Sequence, residues 1–298
     1  MRKPGRHREE DKTRKSANRP LFGQFRFVLI STFLITASAL AQDDCCVGKQ
    51  EPAQPGKRIL RVTADPNNLP FTNERREGFE NRIAALVATE LHRPLEYFWL
   101  PQRRGFVRNS LNAGRCDVVM GVPAQYGLLQ PTRSYYRSSY AFVSRRDRHL
   151  QIDSFDSGVL RTLTIGIQIS GDDYNNPPAA QALAVRHIIQ NVRGFPIYGD
   201  YSRPDPQRDI VDAVADGRVD VAIVWGPLAG YYAAREPTPL VVTPIASERD
   251  GPVSALAFDI AMGVRRDDTA LKTALDDVIA RRGSAIRQVL RSYGVPLR

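Results

Sequence analysis

The sequence predicts an α/β protein of two similar lobes, joined by two crossover segments with a cleft between them. Three observations carry this. Apolar runs of strand length alternate with stretches whose apolar residues recur at helical spacing. Two of these units recur at one offset: "LRVTADP" at 60 is matched by "LTIGIQI" at 163, and "AGRCDVVMG" at 113 by "DGRVDVAIVWG" at 216, both 103 residues on. A last strand and helices then follow the second unit, so second-lobe sequence is enclosed by first-lobe sequence on both sides. Two crossovers between two lobes make a hinged clam.

Element by element, the first lobe is expected over 58–146 and opens with the strand at 60. It ends in "ADPNNLPFTN", residues 64–73. Pro66 and Pro70 fix φ and remove two backbone donors, while Asn67 and Asn68 bring free amides. Stiff polar loops at the carboxyl ends of strands hold ligands in α/β sheets. Phe79, Ile83, Leu86, Val87 and Leu91 share one helical face. "LEYFWL" at 95–100 reads as a strand, 103–113 as a short helix ending at Gly114, and "CDVVMGV" and "YAFVSR" as further strands. The second lobe is expected over 147–244. First-lobe material returns over 245–298, with the strand "FDIAMGV" and helices through Leu271, Leu275, Val278 and Ile279, then Ile286 and Leu290.

Length and charge narrow the function. The chain has 298 residues and a formal net charge of +10. Residues 1–41 hold nine Lys or Arg and three acids, which leaves about +4 for the rest. The basicity therefore sits in the leader, and no later stretch interleaves basic and aromatic residues as a nucleic-acid platform does. The leader has a basic start, fifteen uncharged residues "FVLISTFLITASALA", and the ending Ala39-Leu40-Ala41. This is a secretory signal, too short to span a bilayer. Residues 42–57 read as a polar linker, and the mature protein is expected to be periplasmic with no stable membrane insertion. Cys45, Cys46 and Cys116 are too few for a disulfide framework. An exported chain could pair two of them, the adjacent pair at a cost in strain. The four histidines form no cluster, and no metal spacing, nucleophile elbow or phosphate loop occurs, so no cofactor is expected.

The order Pro-Phe loop, Gly-Phe-Glu helix start and Gly-x-x-Asp strand resembles solute-binding proteins of the amino-acid-binding (family 3) class. "DPNNLPF", "PQRRGFVRN", "LNAGRCDVV", "GVPAQY", "YYRSSYAFVSRRD" and "YGVPLR" resemble, more closely, the methanol oxidation system protein J family. The likeness runs from Ile59 to Arg298. It implies the type II periplasmic-binding-protein fold and an association with a pyrroloquinoline-quinone-dependent (PQQ-dependent) alcohol dehydrogenase. Relatives with Cys in the strand before "ADPNNLPF" are matched here by Thr63, which leaves the pairing of Cys116 open.

The amino-acid binders hold a zwitterion with an Arg after the "GVP" strand and an Asp after the corresponding second-lobe strand. Here the first stretch is Pro123-Ala124-Gln125-Tyr126-Gly127, without Arg, and the second position is Trp225. Arg133 comes later and reads as a solvated loop charge. Arg103 and Arg104 read as surface charge, with an anion contact as the sharper alternative. The cleft is therefore expected to take an apolar guest or a partner's side chain, with Phe71, Tyr126 and Trp225 as anchors. Asp65, Asn67, Asn68 and Glu80 would line the first jaw. Gln168, Ser170, Asp172, Asp173 and Tyr174, in "QISGDDYNN", would form the facing jaw. Three functions follow in order: an accessory protein of the dehydrogenase; the binding component of an ABC importer for a small non-amino-acid solute; and an enzyme such as a dehydratase, for which no acid beside a carboxylate-binding Arg can be placed.

The leader generates the first prediction. The exported protein should begin at Gln42, and N-terminal sequencing that finds Met1 retained would overturn the cleavage assignment.

Overall fold

The computed structural model describes residues 58–169, 177–196, 201–247, 249–250 and 254–298. The expected signal and linker at 1–57, with Cys45 and Cys46, lie outside the described residues. So do Ser170, Asp172, Asp173 and Tyr174.

The first lobe is built from β1 (Leu60–Ala64), α1 (Phe79–Glu90), β2 (Leu95–Trp99), α2 (Phe106–Asn109) and β3 (Val118–Pro123). β4 (Tyr136–Arg145) leads to the second lobe, made of β5 (Ile165–Ile169), α3 (Pro178–Val185), β6 (Val192–Pro196), α4 (Asp209–Ala215), β7 (Val221–Trp225), α5 (Gly226–Ala233) and β8 (Leu240–Pro244). β9 (Ala257–Val264) and α6 (Thr269–Ser292) return to the first lobe. α2 is only four residues, shorter than the helix expected over 103–113. The helical segments expected at the end are one 24-residue helix, which contains no Pro and runs on through Gly283 between its two apolar groups.

Both lobes use one plan. β1 lies between β2 and β3, all parallel, and β5 lies between β6 and β7 in the same way. In each lobe an antiparallel strand closes the far side of the third, β9 beside β3 and β4 beside β7. The offset of 103 residues has a physical counterpart. The Asp117 carboxylate accepts from the Arg61 backbone N–H at 3.0 Å, and the Asp220 carboxylate accepts from the Thr164 N–H at 2.8 Å. The matched aspartates thus pin matched strand starts.

The crossovers are β4, which is shared between the lobes, and the segment that leads into β9. β4 pairs with β9 through Tyr136–Ser139 and with β7 through Tyr140–Ser144. The change of lobe therefore falls inside β4, before residue 146. The return falls near residue 257 rather than 245, since Ile245 and Leu256 are buried in the second lobe's core with Phe142 and Leu183. Arg137 and Asp259, opposite each other on β4 and β9, form an ion pair at 2.5 Å.

The first lobe's core packs Phe79, Ile83 and Val87 of α1 against Leu275, Val278 and Ile279 of α6 and against β1 and β9. Cys116 is buried and free, with Thr63 and Ser110 beside it; burial pushes its thiol pKa up. The loop after β1 is fastened to α1 by Gly78. A Cβ there would lie 2.0 Å from the Phe71 carbonyl oxygen, and the N–H groups of Phe79 and Glu80 donate to Pro70 and Phe71 carbonyls at 2.8 and 3.0 Å.

That contact generates the second prediction. Gly78→Ala must move backbone, so it should cost about 2–3 kcal/mol of stability, read as a lower midpoint in chemical denaturation. An unchanged midpoint would show that the loop is not held by this approach.

Candidate functional site

The "ADPNNLPFTN" loop turns back at once. Asp65 is buried, and its Oδ1 accepts from the Asn67 N–H at 2.8 Å. This is the turn that Asx side chains make with their own backbone. The loop then forms a two-residue hairpin, Asn67–Asn68 against Thr72–Asn73, and Thr72 Oγ1 donates to the Asp65 carbonyl at 2.8 Å. Asn81 closes the other end: its Oδ1 accepts from the Asn73 and Gly78 N–H groups, each at 3.1 Å.

This loop crosses the cleft. Tyr201 of the second lobe donates its hydroxyl to Asp65 Oδ2 at 2.5 Å, where the Gln102 N–H also donates at 2.6 Å. Asn67 Nδ2 donates to the Arg203 carbonyl at 2.8 Å. Leu69, 4% exposed, enters the second lobe's cluster with Val224, Leu228 and Tyr232. The Tyr232 hydroxyl donates to the Leu69 carbonyl at 3.0 Å. The Arg103 guanidinium lies 5.3 Å from the Tyr201 ring centre. The first loop is thus held to the second lobe by four polar contacts, the fourth being the Asp205 N–H donating to Asn67 Oδ1 at 3.4 Å, and by one buried leucine.

Behind this latch lies a cavity of about 300 Å³. Of the expected residues it brings together Asp65, Asn67, Asn68, Phe71, Glu80, Gln168 and Trp225. Gln168 reaches Gln207 at 3.2 Å. Trp225 is half-buried, 5.5 Å from the Tyr140 ring and 5.8 Å from Phe258. Tyr126 is not among the lining residues. The chain turns after β3, with the Tyr126 N–H donating to the Pro123 carbonyl at 2.9 Å, and carries the ring into a neighbouring groove of about 660 Å³ beside Arg103 and Arg104. Arg133 is exposed, away from the cavity.

Several wall residues escaped the sequence reading. Tyr136 and Tyr140 sit at the two-lobe strand β4, where a run of mixed polar and aromatic residues gives no hint of a cleft. Gln102, Tyr201 and Gln207 lie in loops without periodicity. Gly121 had a signal in "MGV": its φ is +68°, and a Cβ would meet Glu80 Oε1 at 2.3 Å. Gly121 makes the room in which Glu80 sits.

Glu80 is the chemical anomaly of the cavity. It is buried in the first turn of α1, and the Tyr135 hydroxyl, at 3.3 Å, is its carboxyl's one hydrogen-bond partner among the described residues. Burial raises its pKa to about 7, against a small opposing effect of the Tyr135 bond. An acid whose folded pKa is raised binds more protons folded than unfolded. Its ionisation therefore removes stability as pH climbs from about 4.5 to about 7, by about 3 kcal/mol in all. Among the described residues no Lys, Arg or His lines the cavity, and no three metal-ligating side chains gather anywhere.

Two lobes of parallel-stranded α/β plan, two crossings between them and a cavity between strand ends define a type II periplasmic-binding-protein fold. Comparison with known proteins agrees. No protein-family model matches the chain. Protein MoxJ of Methylorubrum extorquens AM1 is 32% identical over 271 residues, covering 88% of this chain and 90% of the relative. The crystal structure of MxaJ from Methlophaga aminisulfidivorans MPT superposes with a TM-score of 0.68 at 26% identity, over 80% of this chain and 100% of that one. The periplasmic binding protein XoxJ from Methylobacterium extorquens AM1 gives 0.65 at 33% identity, over 80% and 99%. The chain belongs to the MoxJ family. Among the described residues no helix is long and apolar enough to cross a membrane.

The latch generates the third prediction. Asn67→Ala with Tyr201→Phe removes the side-chain bridges to Arg203, Asp205 and Asp65 and leaves both cores and the Tyr232–Leu69 bond intact. The radius of gyration from small-angle scattering should rise as the lobes part, at a stability cost of about 1–3 kcal/mol. An unchanged scattering curve would show that Leu69 and its bond from Tyr232 suffice to keep the lobes shut.

Proposed function

We propose that the chain is exported to the periplasm and serves there as a solute-binding-like accessory protein of a PQQ-dependent alcohol dehydrogenase. It would support the enzyme's activity or maturation by engaging it, or one of its segments, at the cleft. The observation that carries this reading is a family member whose cleft lacks both amino-acid anchors: Trp225 stands at one, and among the described residues no cation lines the cavity. A closed zwitterion there would leave a carboxylate unpaired in a dry site, at a cost of several kcal/mol. A role as an importer's receptor shares the fold and is favoured by one feature, a cavity sized for a small solute. Among the described lining residues no acid stands beside an Arg that could bind a carboxylate, as a dehydratase would need.

On this reading the stiff first loop loses little entropy on docking, and the aromatic wall supplies the binding energy. Trp225→Ala should weaken association with the dehydrogenase by about 2 kcal/mol or more, measured by co-purification and by titration of the two proteins. The melting temperature should fall less than for a core truncation, which costs about 3–5 kcal/mol. Unchanged association with a large loss of stability would end the cleft hypothesis.

A further inference from the structure

We propose that the cavity between the lobes binds a small alkylammonium ion lacking a carboxylate, its charge met by Glu80 and its alkyl groups by Phe71, Tyr136, Tyr140 and Trp225. The proposal is independent of any dehydrogenase.

The wall sets the charge of the guest. Two carboxyl groups line the cavity with no cation among the described lining residues, so an anion is disfavoured. Of the two, Asp65 is already committed: both oxygens accept from Asn67, Gln102 and Tyr201. Glu80 has one long bond from Tyr135 and retains acceptor capacity. A buried carboxyl with so few donors is a poor choice for an empty core, since it costs desolvation without compensation. Paired with a cation it is compensated.

The aromatic residues set the rest. Tyr140 and Trp225 pack edge to face, and the Tyr136 hydroxyl lies beside the Trp225 indole. Aromatic rings attract a desolvated cation through their quadrupole, and quaternary ammonium groups are recognised in this way. A volume of about 300 Å³ admits a guest of a few carbons and excludes a peptide segment. The same wall disfavours amino acids, because among the described lining residues there is no cation to pair a carboxylate.

The pH dependence follows from the groups that face Glu80. These are Tyr135 and Tyr136 from the strand β4 and its lead-in, and Tyr97 from β2, with Asp65 across the cavity. All three tyrosines have pKa values raised above 10 and stay protonated near neutrality. Glu80 is then the group that must lose its proton when the cation enters. Affinity should rise about tenfold per pH unit up to about 7 and level off above it, with proton release on binding below that pH.

The test is calorimetric titration of the full mature chain with choline, with its uncharged isostere 3,3-dimethyl-1-butanol, and with glycine betaine, from pH 5.5 to 8.5. Choline should bind at least about tenfold tighter than either at pH 8, with the pH profile above. Glu80→Gln should lose the choline preference and the pH dependence together. The wild-type isostere comparison and pH profile stand without the variant, should it fail to fold. Equal binding of choline and the alcohol, tighter binding of glycine betaine, a flat pH profile, or no choline binding at millimolar concentration would each overturn the proposal.

Discussion

The Asp65 carboxylate has left water in exchange for three donors, and each comes from a different piece of chain. Asn67 gives the turn, Gln102 ties in the loop after β2, and Tyr201 brings the second lobe. A buried carboxylate is stable only when its acceptor sites are filled. Loop shape and lobe closure are therefore coupled at one group. The prolines that follow it lower the ordering cost, since Pro66 and Pro70 leave the loop little freedom to lose. With the loop fixed, Leu69 is presented to the second lobe and Phe71 to the cavity.

Below that group sits an acid of opposite character. Asp65 is saturated with donors, whereas Glu80 is surrounded by rings and one hydroxyl, and its proton affinity rises accordingly. Asp65 follows β1 directly, and Glu80 lies in the first turn of α1. Their environments differ because Gly121 opens space beside one and the second lobe's loop reaches the other. The cleft thus pairs a structural carboxylate with a titrating one, within a wall that carries no positive charge among the described residues.

Much of this was legible from the chain alone. The repeat of Gly-Arg-x-Asp at a fixed offset marked two lobes because the aspartates do the same mechanical job in each. The first loop declared itself through residues that restrict φ or carry amides. What was not legible has a common cause. Tyr136, Tyr140 and Tyr201 reach the cavity only through the exchange of partners along β4 and the closure of the lobes, and neither leaves a local pattern. Tyr126 was misplaced for the converse reason: it follows the right strand, but the turn after Pro123 carries it to another face. Leu69 was passed over inside a loop read for its polar residues, because an apolar residue in such a loop carries no sign of the surface it will meet.

Closure also links the two kinds of guest. Opening the cleft breaks the four polar contacts of the first loop with the second lobe, each worth about 0.5–3 kcal/mol net, and exposes Leu69, worth about 1.5–3 kcal/mol. A macromolecular segment cannot enter about 300 Å³, so it meets the open form and its affinity is reduced by the cost of opening. A small ion enclosed by both lobes stabilises the closed form instead. Two such guests oppose each other through the hinge even without touching, and by linkage each weakens the other by the same factor. Strands β4 and β9 can carry that opposition because they run unbroken from one lobe's sheet into the connection between them, which makes the two arrangements alternatives of one fold.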